Sequence, residues 1–255
     1  MADRSLQGRH ALITGGGTGI GAATAELLHG AGAKISLLGR RIEPLQEVAA
    51  KVDGAAIRCD VSIPESITSA FDEARAANGP INLLIVNAGI AESAPFHRMT
   101  RASWDRIIGV NLTGAFDTVQ AGLPDLLKAE DARVVFIASV ASLRGVPYAA
   151  HYAASKHGLL GLMRSMAAEY ARSKMTVNAV CPGYVDTPMT DQSVARVSEI
   201  TKRGEDDARS AITNMNASGR LVDPQAIANL VLMLCLPLSH DINGAAVTID
   251  GGTSA

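Results

Sequence analysis

Apolar residues fall in short, nearly continuous runs, and the stretches between them carry helical periodicity. The runs are His10–Thr14, 33–38, 55–59, 82–86, 133–138, 176–181 and 245–249. They do not alternate apolar with polar positions, so each reads as a parallel strand covered on both faces. Helical patterns occupy Gly19–Gly30, 43–52, 64–77, 101–127, 151–173 and 224–234. Pro64 and Pro224 fall in a first turn, where proline is best tolerated. Repeated strand–helix alternation predicts an α/β fold: a doubly wound, seven-stranded parallel sheet with helices on both faces. With no linker or low-complexity stretch, residues 1–255 are expected to form a single domain.

The rhythm breaks once, at about 188–219. This insertion is charged and helix-like, carrying Arg196, Glu199, Lys202, Arg203, Glu205, Asp206, Asp207 and Arg209. It would lie past the C-terminal end of the sixth strand, the edge where open α/β sheets bind ligands.

Composition removes several function classes. The 255 residues are 47% apolar, enough for one large core, and carry a formal charge of −2. No block of lysines or arginines invites nucleic acid or an anionic membrane. No apolar run reaches the ~18 residues of a membrane helix, and the polar stretch 1–9 reads as the lead into a strand, not a secretory signal. Cys59, Cys181 and Cys235 are odd in number and widely spaced. They read as small buried hydrophobes rather than a disulfide frame or metal site, which makes a reducing, cytoplasmic setting the default.

Two local features point to chemistry. The first strand runs into Thr14-Gly15-Gly16-Gly17-Thr18-Gly19-Ile20-Gly21, where a helix opens. Glycines there let backbone approach a pyrophosphate, and the helix start offers free amides and a positive dipole end. The second feature is Tyr152 and Lys156, four apart and so on one helix face, with Ser139 upstream. A free phenol titrates near ~10, and a neighbouring ammonium is expected to draw that value towards neutrality. Ser139 could then bind a carbonyl or alcohol oxygen while Tyr152 moves its proton.

With these elements in order, the whole chain resembles the short-chain dehydrogenase/reductase family. Its glycine loop has the family spacing, and Asn87-Ala88-Gly89 follows the fourth strand as the family's Asn-Ala-Gly does. Asn111 in Val110-Asn111-Leu112 matches the family asparagine, and Asp250-Gly251-Gly252 the usual ending. The resemblance implies a Rossmann fold, a homotetramer and a catalytic tetrad of Asn111, Ser139, Tyr152 and Lys156. Tyr152 would be the acid in reduction and the base in oxidation, and Ser139 would orient the substrate oxygen. Lys156 would lower the tyrosine pKa and bond the nicotinamide ribose. Asn111 would interrupt its helix and hold a relay water.

Residues matching the family's cofactor contacts are Gly15, Gly17, Thr18, Gly19, Ile20 and Gly21 in the loop, then Asp60, Val61, Asn87, Ala88 and Gly89. Tyr152, Lys156, Pro182, Gly183, Val185 and Thr187 match those on the nicotinamide side. Selectivity is read at Gly39-Arg40-Arg41. Gly39 stands where NAD users usually carry aspartate, and Arg40 is suited to a phosphate. That favours NADP(H), with NAD(H) the alternative, since Thr18 stands where many NADP users have a basic residue.

The substrate cleft should draw on 91–96, 140–148, Tyr184 and the insertion, with Val140, Arg144, Tyr184 and Met189 as substrate contacts. Apolar groups with Arg144, Lys202, Arg203 and Arg209 at the mouth would suit a 3-oxoacyl or 3-hydroxyacyl thioester of coenzyme A or acyl carrier protein. A non-thioester ketone, cyclic alcohol, polyol or steroid is the second reading, and an inactive nucleotide-binding regulator the third. His97, His151 and His157 are expected to line the pocket or the surface without a catalytic part.

Overall fold

The computed structural model describes residues 5–202 and 204–255. Arg203, one of the cations expected at the mouth, lies outside them. Seven strands form one parallel sheet: β1 His10–Thr14, β2 Lys34–Gly39, β3 Ala55–Arg58, β4 Leu83–Val86, β5 Ala132–Ile137, β6 Met175–Pro182 and β7 Ala246–Ile249. Their order is β3-β2-β1-β4-β5-β6-β7, so the winding reverses between β1 and β4. A cleft opens above the carboxyl ends of the strands at such a reversal.

Successive strand residues point to opposite faces, which divides the core in two. Leu12, Leu38, Leu84, Val134 and Phe136 pack against α3 (Pro64–Asn78), α5 (Gly114–Leu126) and α6 (Ala150–Glu169). Ala11, Ile13, Leu37, Ile85 and Val135 pack against α1 (Gly19–Gly30), α2 (Ile42–Val52) and α9 (Pro224–Cys235). Burial on both faces is why the strands show no alternation in sequence. All three cysteines are buried and free, and burial pushes the Cys181 thiol up to about 11 and that of Cys235 to about 12.

Three expectations need correction. The helix expected over 101–127 is split into α4 (Arg101–Ile108), a π-helical turn (Gly109–Thr113) and α5. One widened turn leaves the apolar spacing almost unchanged, so periodicity does not reveal it. The helix expected to reach 173 ends at Glu169. Asn82, expected inside β4, instead precedes the strand, and its side-chain oxygen accepts the His10 amide at 2.9 Å.

The insertion consists of α7 (Pro188–Thr201) and α8 (Glu205–Thr213), which share a small core of Val194, Ala208 and Ile212. Asn216, only 1% exposed, ties it to the sheet. Its side chain accepts from the Tyr184 amide at 2.9 Å and donates to the Tyr184 and Arg220 carbonyls at 2.8 Å each. A parallel bridge between Val185 and Val222 completes the return.

Candidate active site

The glycine loop is shaped by close backbone approach. Gly15 and Gly19 have φ of +66° and +54°, which side chains disfavour. A Cβ on Gly21 would lie 2.3 Å from the Gly15 carbonyl oxygen, so the first turn of α1 can pack there only without one. Thr18 precedes that helix with no side-chain cap, which leaves its first amides open to an anion. Asn87 braces the loop, donating to the Thr14 and Gly15 carbonyls at 2.9 and 3.1 Å. The Thr14 hydroxyl in turn accepts the Asn87 and Ala88 amides, both at 3.0 Å. Thr14 opens the loop motif in the sequence, and the structure adds that its hydroxyl holds the loop to Asn87 and Ala88.

A cleft of about 370 Å³ runs from this loop past Gly39, Arg40 and Arg41 to Asp60 and Val61 on one side and Ala88–Ile90 on the other. Burial works to raise the Asp60 carboxyl. The Ser62 hydroxyl and amide and the Arg40 charge prevail and hold it below its usual range. Gly39 has room for a Cβ, with its nearest neighbour, Leu45, at 3.4 Å. Open helix amides, glycine walls and a cationic end fit a dinucleotide.

Behind Gly89, in the wall of this cleft, lie the first of the catalytic candidates. Ser139 follows β5, and its hydroxyl accepts the Ala141 amide at 3.1 Å and lies near enough to the Tyr152 hydroxyl to act on its ionisation. Lys156 lies one turn beyond Tyr152 on α6, its ammonium 5.8 Å from the centre of the tyrosine ring. That ammonium donates to the Ile137 carbonyl at 2.8 Å. Asn111 sits in the π-helical turn, clamped to Ile90 by two 2.9 Å hydrogen bonds, and also donates to Ser155 at 3.2 Å. A Cβ on Gly89 would lie 3.4 Å from the Asn111 oxygen and 3.7 Å from the Lys156 nitrogen. Asn111 and Lys156 thus adjoin the cleft at Gly89, with Tyr152 and Ser139 beyond Lys156.

The electrostatics reverse one expectation. Burial pushes the Tyr152 phenol up to about 12, with the nearby Ser139 hydroxyl working the other way. Burial also pushes the Lys156 ammonium down to about 8. The amine does not draw the phenol towards neutrality; loss of water dominates both shifts, and neither group is a cause of the other's. At neutral pH the phenol holds its proton and the amine is still charged.

Other residues are placed less directly. Thr187 lies against the glycine loop, its methyl 2.9 Å from where a Gly19 Cβ would sit. Gly183 faces the insertion and the C-terminal turn: a Cβ there would meet the Asn216 oxygen at 2.6 Å. Pro182 ends β6, and the Val185 side chain is in the core while its carbonyl accepts the Thr190 hydroxyl at 2.6 Å. Val140 is also buried, Arg144 is exposed near Tyr184, and Met189 is 39% exposed. His151 is fully buried and its Nδ1 accepts the Tyr152 amide at 2.9 Å, whereas His97 and His157 are exposed.

The family model described as Enoyl-(Acyl carrier protein) reductase matches residues 15–254. The chain is 34% identical over 253 residues to 3-oxoacyl-(acyl-carrier-protein) reductase FabG of Aquifex aeolicus, covering 97% of this chain and 98% of that one. It is equally similar, 34% over 253 residues and 97% of both chains, to cis-4-hydroxycyclohexanecarboxylate dehydrogenase of Sinomonas cyclohexanicum. Among solved structures, actinorhodin polyketide ketoreductase with NADPH superposes with a TM-score of 0.92 at 31% identity, covering 96% of this chain and 97% of that one.

Proposed function

The chain belongs to the short-chain dehydrogenase/reductase family of NAD(P)-dependent oxidoreductases, and on that premise we propose that it interconverts a ketone and a secondary alcohol with NADP(H). The observation carrying this reading is Tyr152 beside Ser139 and one helical turn from Lys156, whose ammonium lies against Gly89 in the wall of a dinucleotide-shaped cleft. When bound, the nicotinamide cofactor supplies or accepts the hydride.

In reduction, Ser139 and Tyr152 hold the carbonyl oxygen between two hydroxyl donors. Tyr152 Oη gives its proton as negative charge develops on that oxygen. The charged Lys156 Nζ steadies the resulting phenolate. Asn111, fixed to Ile90, keeps the turn beside Lys156 open for proton return. Oxidation runs the same transfers backwards. A phenol held well above neutrality suits the reductive direction, since the donor is always loaded.

Arg40 and the open space at Gly39 support NADP(H). Arg40→Ala is expected to weaken NADPH roughly 10- to 100-fold, the effect of one charge-assisted hydrogen bond, with NADH unchanged. Gly39→Asp should reverse the preference by putting a carboxylate where the extra phosphate lies. Calorimetric titration of both cofactors measures this, and equal affinities throughout would remove the assignment.

A 3-oxoacyl thioester is the first substrate choice, because relatives across the full chain are named for that reaction. A ring ketone comes second, on the equally similar cyclohexanecarboxylate enzyme. Acetoacetyl-CoA, crotonyl-CoA and cyclohexanone derivatives, each offered with NADPH, separate them. Turnover of crotonyl-CoA alone would redirect the reading to carbon–carbon double bonds. A homotetramer in a reducing compartment belongs to the same proposal, and light scattering reads its mass.

A further inference from the structure

The edge of the sheet opposite the dinucleotide cleft holds a second concavity, of about 490 Å³. It lies at the amino ends of β5 and β6, beside the turn that follows α9, with Arg133, Lys174, Thr176, His240, Asp241 and Asn243 in its wall. Arg133 and Thr176 stand directly opposite each other in the β5–β6 register, so their side chains share one face of the sheet. It is the face that α9 covers, since Val135, two residues beyond Arg133, packs there.

Both residues break the apolar run of their strands, yet Arg133 is only 1% exposed and Thr176 only 6%. Arg133 pairs with Asp131 through Nη1, and its Nη2 donates to the Leu236 carbonyl at 3.3 Å. Its Nε–H and the Thr176 hydroxyl are buried without a hydrogen-bond partner among the described residues. Arg9 reaches the same carboxylate, with Nη1 2.7 Å from Asp131, and its buried Nη2 is equally unpartnered. Two buried guanidinium groups thus share one carboxylate, which leaves an excess positive charge. Such groups are costly to bury unless an acceptor meets them. The remaining charges of the wall do not serve. Glu130 is paired with Lys174, Asp241 lies 3.3 Å from His240, and both carboxylates stand in solvent.

We propose that this concavity is a second binding site, for a small oxyanion: a carboxylate or phosphate group that accepts from Arg133 Nε–H and the Thr176 hydroxyl, with Arg9 adding charge behind them. A guanidinium already tied down at Nη1 and Nη2 offers its remaining N–H in a fixed direction, which suits a charged oxygen. A ligand there touches no residue of the hydride-transfer machinery. Its occupancy therefore adds to the stability of the fold, and the inference stands apart from the substrate and cofactor readings above.

Thermal melts of the NADPH-saturated protein test it, with sodium phosphate and sodium succinate as probes against sodium chloride of equal ionic strength. NADPH occupies the glycine loop and Arg40, so the probes are kept from acting there. The wild-type Tm is expected to rise saturably with at least one probe, by about 5 °C at roughly a hundred times its Kd. Arg133→Met leaves Asp131 paired with Arg9 and should weaken that probe about tenfold or more. Thr176→Val keeps the shape of the side chain, removes the hydroxyl and should weaken it about fivefold. Arg40→Ala, at the opposite edge of the sheet, should leave the rise unchanged. No saturable rise above the chloride control would overturn the proposal. So would an equal rise in wild-type protein and Thr176→Val, which marks a general salt effect and an adventitious ion only. If Arg133→Met fails to fold, Thr176→Val alone decides.

Discussion

Tyr152→Phe is expected to lower turnover roughly 10²- to 10⁴-fold, the usual contribution of a positioned proton donor, and to leave NADPH affinity nearly unchanged. The ring still fills its place, and Ser139 keeps its hydrogen bond from Ala141, so the loss is confined to the proton. The pH profile has a definite sign. Tyr152 must be protonated to reduce, and Lys156 must be charged to steady the phenolate. With the phenol near 12 and the amine near 8, reduction should be flat through neutrality and fall above about pH 8. Oxidation needs the phenolate and should rise with pH. A reduction rate that climbs from pH 7 to 9, or a Tyr152→Phe variant with a tenth or more of wild-type turnover, would remove Tyr152 from the proton's path.

Lys156→Met carries the second large effect. The substitution matches the length of the chain and removes the ammonium, so turnover should fall by at least roughly 10²-fold. Unlike the tyrosine variant, it should also weaken NADPH binding about tenfold, through loss of a donor at the nicotinamide end. Stability should move the other way. A lysine held near 8 when folded, against 10.5 as its ordinary value, binds fewer protons folded than unfolded between those limits. Its burial therefore penalises the folded state fully below pH 8, and the penalty lifts as pH rises towards 10.5. Lys156→Met should be relatively more stable at pH 7 than at pH 10, offset in part by leaving the Ile137 carbonyl unpaired. Thermal melts at the two pH values show it; a variant equally shifted at both would mean that the lysine is not held near 8.

Much of the fold was legible because parallel strands buried on both faces cannot hide. Each apolar run became a strand, with ends displaced by a residue or two. The glycine loop and the tetrad were legible for a different reason: their chemistry demands fixed residue types at fixed spacing. What escaped is what depends on three-dimensional context. The π-helical turn that carries Asn111 leaves no trace in the apolar spacing. Asn216 looks like any loop asparagine, yet it pins the insertion to the sheet through three hydrogen bonds. The direction of the Tyr152 shift is not legible, because sequence places the lysine near the phenol but says nothing of the water both groups lose.

Hydride is expected to pass between a nicotinamide ring and a carbon held over Tyr152 and Ser139, and every role assigned above depends on that transfer. Supplying NADPH deuterated at the transferable C4 position, with the ketone and thioester panel, tests it in one step. Mass spectrometry of the alcohol product is predicted to find one deuterium on the carbinol carbon with wild-type protein and essentially none with Tyr152→Phe. Labelled cofactor that binds tightly and yet passes deuterium to no member of the panel would contradict it.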